Sequence, residues 1–253
     1  MSGGAPVGGT LGGVPRRLRA ARWVDLTHRF APGQPSFPGD PDETVETVST
    51  VADGAWVQRF GLIGQWGTHV DAPALFAAGG RTLAELPVRD TVLPLVVLPL
   101  ADVAQRDVDL EVTAAHITAF EAEHGRIPEG SFVALATGWS RRWNEPGDAM
   151  HNPDTAGVFH SPGWGVSALE ALAARGVVAV GHETCDADPG VRVSAGDLRA
   201  QRWWLEHDGW MIESMKDLRR VPPTGAVIVA TWPVPEVASG FPARTAAVLP
   251  VSP

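Results

Sequence analysis

The chain has 253 residues, 44% of them apolar and 19% charged, which suits one folded α/β or all-β domain or two small ones and excludes a disordered or collagen-like polymer. Its formal charge of −9, from 20 basic and 29 acidic side chains, argues against a nucleic-acid or anionic-membrane surface and leaves a small molecule as the expected partner. The longest apolar stretch, Thr91 to Ala101, holds two prolines and is too short to span a bilayer; Cys185 is the single cysteine, so no intramolecular disulfide or CxxC zinc ribbon forms, and the cytoplasm is the expected compartment.

Residues 1–22 read as a flexible Gly-rich tail with a basic collar of Arg16, Arg17, Arg19 and Arg22, and residues 23–253 as a single domain. No apolar run follows Arg16-Arg17, which argues against an export signal. WVDLTHRF at 23–30 reads as a strand, PGQPSFPGDPDE as a Pro/Gly loop and Ala55 to Ile63 as a second strand. LPLVVLPL at 93–100 is a buried strand in which Pro94 and Pro99 predict an edge position, or pairing confined to its centre. Thr113 can N-cap a helix running to His124, with Gly125 as its left-handed stop, and 132–139 is another buried strand.

An S-x-x-E box at Ser167–Glu170 opens a helix that ends at Gly176, before the strand VVAVGH. Asp197 can cap a further helix to about Glu206. GWMIES at 209–214, AVIVATW at 226–232 and TAAVLP at 245–250 close the chain as strands, with a turn at Pro222-Pro223 between the first two. The pattern is mixed α/β without internal repeats.

The chemistry-bearing residues concentrate in GQWGTHVDAP at 64–73. In an extended segment residues two apart face the same way, so His69, Asp71 and, four back, Gln65 would share one pocket. That suits a metal or a proton relay; a turn-bonding Asp71 beside a satisfied buried His69 is the plainer alternative. No G-x-S-x-G elbow, phosphate loop or dinucleotide fingerprint is present. Nothing around Cys185 stabilises a thiolate, so it reads as structural.

The segment resembles the signature H-x-G-T-H-x-D-x-P-x-H of the cyclase family, whose best-known members are kynurenine formamidases and related amide, imide and lactone hydrolases. Here it reads Gln65-Trp66-Gly67-Thr68-His69-Val70-Asp71-Ala72-Pro73-Ala74-Leu75. The segments at 25–42, 135–139 and 162–190, and IES with the downstream FPARTAAVLP, are similar to family segments in family order, so the resemblance covers nearly everything after the tail. It implies a kynurenine formamidase-like swivelling β/β/α fold, a mixed sheet forming a barrel-like sandwich with flanking helices, and a homodimer or homotetramer.

In members with a metal centre, the first two signature histidines and the aspartate bind the ion, the third histidine assists as acid or base, and a later histidine and a glutamate complete the site. Carried over by position, His69, Asp71 and Glu213 survive, while Gln65, Leu75 and, for the later histidine, Gln201 replace imidazoles. Zinc prefers nitrogen and sulfur, so two zinc ions are not expected; His69, Asp71, Glu213 and Gln65 would hold a single Mn or Zn ion or none. His182 and Glu183 are candidate replacement ligands.

The resemblance thus implies an enzyme acting on a small cyclic or cyclisable carbonyl compound, by hydrolysis of an amide, imide or lactone or by the related ring closure or dehydration. His69, Asp71 and Glu213 would be catalytic, and Gln65, Trp66, Gln201, His182, Trp139 and Trp164 would bind substrate. The missing imidazoles argue against ordinary arylformamidase activity. A metal-free acid/base cyclase or dehydratase and a non-catalytic ligand-binding relative remain alternatives. The other six histidines, His28, His116, His124, His151, His160 and His207, read as surface or capping residues, and the irregular stretch from Asn144 to Gly163 as a lid or subunit contact.

Overall fold

The computed structural model describes residues 13–249. Its strands are Trp23–Asp25 (β1), Thr44–Ser49 (β2), Val57–Gly61 (β3), His69–Asp71 (β4), Val92–Pro99 (β5), Glu111–Val112 (β6), Phe132–Ala136 (β7), Gly163–Trp164 (β8), Ala179–His182 (β9), Trp210–Glu213 (β10), Ala226–Thr231 (β11), Gly240–Pro242 (β12) and Arg244–Val248 (β13). Its α-helices are Val14–Ala20 (α1), Ala101–Arg106 (α2), Ala114–His124 (α3), Val166–Ala173 (α4), Gly190–Ser194 (α5) and Arg199–Glu206 (α6).

Nine strands form one sheet in the order β1-β13-β11-β5-β7-β9-β10-β4-β12. The central four, β5, β7, β9 and β10, run parallel, with helical crossovers between them. Parallel strands covered on both faces need no polar alternation, and every residue of β7 and β10 is buried. Phe132 and Ala134 point into one apolar cluster with Val70, Trp210 and Ile212; Val133 and Leu135 point into a second, against Ile117, Trp164, Leu169 and Trp204 on the helical side.

The connectivity forces this sheet to roll. β12 and β13 are separated by Ala243 alone, yet β12 is the last strand of the sheet and β13 the second. One residue cannot cross a flat nine-stranded sheet, so the two edges must meet. The amide of Ala243 bonds Thr68 O at 2.8 Å, and a bridge between Thr27 and Met215 closes the same seam. The expected mixed α/β sheet with a barrel-like curl and flanking helices is therefore observed.

Several expectations are corrected. β5 is an interior strand: its first half, Val92 to Leu95, pairs with β11 and its second, Leu95 to Pro99, with β7. The ladders change over at Leu95, so neither proline has to serve two neighbours. The helix expected from Ser167 starts at Val166, after Gly165, and Ser167 Oγ instead accepts the amide of Ala114, at 3.4 Å, at the start of α3. Asp197 does not cap α6; it pairs with Arg192 and Arg199, and Asp188 takes the first-turn amides.

The tail expectation is corrected in its later part, where α1 coils and Trp23 Nε1 bonds Leu18 O at 2.8 Å; residues 1–12 and 250–253 lie outside the described residues. Thr44–Ser49, which sequence patterning missed, pairs with β3 as a separate hairpin. Among the described residues no helix is long and apolar enough to cross a membrane.

Candidate active site

β4 lies between β10 and β12, and its register sets Glu213 opposite His69. His69 and Asp71 project to one side, and Val70 between them enters the apolar core. Gly67, at φ +65°, takes a left-handed turn just before the strand. His69 Nδ1 donates to Gly67 O at 2.8 Å, which leaves the Nε2 lone pair free. That Nε2 is buried without a hydrogen-bond partner among the described residues, 3.5 Å from Glu213 Oε2 and 3.7 Å from Asp71 Oδ1.

Two carboxamides brace the acids. Gln65 Nε2 donates to Asp71 Oδ1 at 3.2 Å. Gln201 Nε2 donates to Asp71 Oδ2 at 2.9 Å and to Glu213 Oε1 at 3.0 Å. Gly240 makes room for this arrangement, because a Cβ there would collide with the Gln65 carboxamide and come within 2.9 Å of Asp71 Oδ1.

The electrostatics favour a cation. Burial, then the charges of Asp71, Asp186 and Asp188, push the Glu213 carboxyl well above its ordinary range. Burial is the largest single influence on His69 and opposes its charge, but the charge and hydrogen bonding of Asp71, the Gly67 carbonyl and the charge of Asp186 together raise its pKa. Burial and the charge of His69 lower His182 to about 3, so it is neutral. One ligand atom each from His69, Asp71 and Glu213 lies within 4.8 Å of the others, and all three residues are buried. Two acids around a buried imidazole nitrogen fit a divalent ion.

These groups open on a cavity of about 310 Å³. Gln65, His69, Gln201 and Glu213 line it, Asp71 stands behind them, and Ile63, Leu75, Phe76 and Leu198 make an apolar wall. Leu75, which stands where the signature has its third histidine, is part of that apolar wall. The tryptophans expected in the pocket lie elsewhere: Trp66 packs on Phe30, Trp139 joins Trp143 and Met150, and Trp164 sits in the helical-side core. Each is large enough to fill a core, and core packing took them. His182 is fully buried behind Glu213, with Nε2 3.6 Å from Oε1, and does not line the cavity.

Glu183 points away from the site, where it accepts the amide of Gly138 and Ser140 Oγ. Burial pushes the Cys185 thiol well above its ordinary value, in keeping with an inert role. His28 and His151 are buried rather than superficial; His28 stacks on Trp143 at 4.2 Å. Sequence reasoning missed Asp40 and Asp186 in the lining. Asp186, next to Cys185 and between Glu183 and Asp188, carried the better signal.

Comparison with known proteins agrees with this fold. A family model described as putative cyclase matches residues 24–189. An isatin hydrolase of Roseibium aggregatum is 31% identical over 193 residues, which span 73% of this chain and 71% of that one. The crystal structure of an isatin hydrolase bound to the product analogue thioisatinate superposes with a TM-score of 0.88 at 26% identity, covering 98% of this chain and 100% of its own. Isatin hydrolase A from Labrenzia aggregata bound to benzyl benzoate gives a TM-score of 0.84 at 27% identity, over 97% and 99% of the two chains. A potential metal-dependent hydrolase with cyclase activity shares the fold at a TM-score of 0.67 and 22% identity, over 89% and 96%. With its rolled sheet, its buried His-Asp-Glu group and these likenesses, the chain is a hydrolase that belongs to the putative cyclase family.

Proposed function

We propose that this enzyme opens small cyclic amides, imides or lactones by hydrolysis, with a ring of the size and flatness of isatin as the model substrate. The carrying observation is the His69, Asp71 and Glu213 group, its ligand atoms within 4.8 Å, on a 310 Å³ cavity with one apolar wall. The 31% identity to an isatin hydrolase supports the choice of ring. His69 Nε2, Asp71 and Glu213 would hold one divalent ion, with Gln65 beside Asp71; the excess of oxygen donors favours Mn²⁺ over Zn²⁺. A divalent ion held there supplies Lewis acidity for a carbonyl and a water.

The chain's own residues do the rest. The bond from His69 Nδ1 to Gly67 O keeps Nε2 aimed at the acids. Gln201 spans Asp71 and Glu213 and holds their separation. Leu75, Phe76, Ile63 and Leu198 offer a flat ring an apolar bed and exclude water from its far side.

The test is metal content by plasma mass spectrometry after loading with Mn²⁺ or Zn²⁺, followed by isatin ring opening read from its absorbance. One ion per chain and turnover, both lost in His69→Ala, are expected. A loaded protein inert toward isatin, imides and lactones would refute the substrate class. Undiminished turnover after chelation would replace the ion by acid/base work of His69 and Asp71.

Self-association and a cytoplasmic setting belong to the same proposal. The β2–β3 hairpin exposes Val48, Trp56 and Phe60 to solvent at 59%, 66% and 50%, a surface that supports contact with a second copy. A single, disulfide-free cysteine supports a reducing compartment.

A further inference from the structure

We infer that Asp186 is the acid/base residue of the ring opening, and that His151, with Asp148 behind it, connects Asp186 to bulk water. The inference rests on the hydrolysis proposed above.

The cavity lining contains Asp40, His69, Cys185, Asp186 and Glu213 as its ionisable groups. His69 and Glu213 face each other at 3.5 Å within the cation group, and the Cys185 thiol is held protonated by burial. Asp40 sits on the proline-rich loop and makes no ion pair among the described residues. Asp186 stands four residues past the end of β9, its backbone carbonyl held by Thr184 Oγ1 at 2.8 Å. Only 7% exposed, its carboxylate accepts no hydrogen bond among the described residues and borders the cavity.

Behind that carboxylate stands a buried imidazole. His151 is 4% exposed, and its Nε2 has no hydrogen-bond partner among the described residues and lies 3.9 Å from Asp186 Oδ2. Its other nitrogen, Nδ1, is 2.5 Å from Asp148 Oδ1, and the Asp148 side chain is 45% exposed. Phe159 packs on the imidazole ring at 4.8 Å and fixes its plane. Carboxylate, imidazole and carboxylate therefore run in file from the cavity to the surface. With Nδ1–H given to Asp148, Nε2 is the acceptor that a protonated Asp186 needs, and a small side-chain turn closes the 3.9 Å gap. Burial raises Asp186 to about 6, where a carboxyl can both take and return a proton near neutrality.

For a cyclic amide, Asp186 moves one proton from water to the leaving nitrogen. A water oxygen bonds to the ring carbonyl carbon as Asp186 takes one of the water's protons. The C–N bond then breaks with its electron pair on nitrogen, and Asp186 returns that proton to the nitrogen, leaving an amine and a carboxylic acid. The acid ionises at neutral pH, and the released proton leaves through His151 and Asp148.

The full chain loaded with Mn²⁺, with isatin as probe, tests this. Asp186→Asn should lower kcat about 10²–10³-fold with KM changed less than about threefold. Its metal content should stay that of the wild type. In Asp186→Ala, added formate should recover about tenfold of the lost rate while chloride recovers none. His151→Phe, which preserves packing, should lower kcat about tenfold at unchanged KM and enlarge the solvent isotope effect, and it decides the matter if neither Asp186 variant folds. Wild-type kcat in Asp186→Asn, absence of formate rescue, or the loss falling on Asp40→Asn instead would overturn the assignment while leaving the hydrolase reading intact. A wild type inert toward isatin, imides and lactones would overturn both.

Discussion

Asp188 and Gln201 meet at the first turn of α6: the buried carboxylate accepts the amides of Ala200 at 2.8 Å and of Gln201 at 3.0 Å. The side chain of the same Gln201 reaches on to Asp71 and Glu213. One acid thus caps the helix and decides where the amide bridging the two candidate ligands stands. Asp188→Asn turns an N–H toward a backbone N–H and should lower stability by about 1–3 kcal/mol in urea unfolding. Because the bridge loosens with it, Mn²⁺ affinity by equilibrium dialysis should weaken about tenfold.

Gly240 tests the crowding at the same site from the other side. Gly240→Ala places a methyl against the Gln65 carboxamide, Asp71 Oδ1 and Val70 O, all on or beside β4. Backbone on one side and a buried acid on the other leave only Gln65 free to move. Ring-opening activity should fall about 10–100-fold, whereas Gly130→Ala, in open space but at φ +75°, should affect stability alone, by about 1 kcal/mol.

Leu75 belongs to the wall and not to the proton chemistry. Leu75→Ala removes apolar surface from the ring's bed, which should raise KM for isatin about tenfold through the loss of about 1–2 kcal/mol of contact. Steady-state kinetics should show kcat changed far less than KM.

Away from the site, Glu121 and Arg175 form a two-pronged pair at 2.7 Å on each prong, and Glu121 Oε1 also accepts the amide of Ile127. The Arg175 bonds hold the Glu121 carboxyl below its ordinary value of 4.5, against the opposing effect of burial. A lowered folded pKa means that the pair's stabilisation is complete above the unfolded value and is lost as pH falls through the folded one. Glu121→Gln should therefore cost about 1–2 kcal/mol near neutrality, and thermal melts should show the gap between the two proteins closing below about pH 4.5.

Signals confined to one turn were legible in the sequence. Thr113 and Gly125 bracket α3 as its cap and stop, and the two-residue spacing of His69 and Asp71 does place both on one side of a strand. What the sequence hides is tertiary. Ser167 and Asp197 are competent caps whose own helices find other partners, because Gly165 pairs with Val112 and because Asp188 arrives from twelve residues away. Pro94 and Pro99 describe an edge strand unless its two neighbours divide its length, and no local pattern reveals that division. The alternation in TVETVS is weak, since both faces of that hairpin meet solvent. Tryptophan fills a core or a pocket equally well by composition, so Trp139 and Trp164 could only be placed by the fold.

The span from Gly240 to Val248 supplies a strand to each rim of the rolled sheet, with one residue between them. β4 is paired on one side by this span and on the other by β10, and Ala243 ties it once more through Thr68. Freeing β4 therefore means pulling β12 away, and β12 cannot leave without dragging β13 off β1 and β11. Local fraying of the strand that carries His69 and Asp71 is therefore disfavoured, and deuterium exchange at its amides should track global unfolding of the roll.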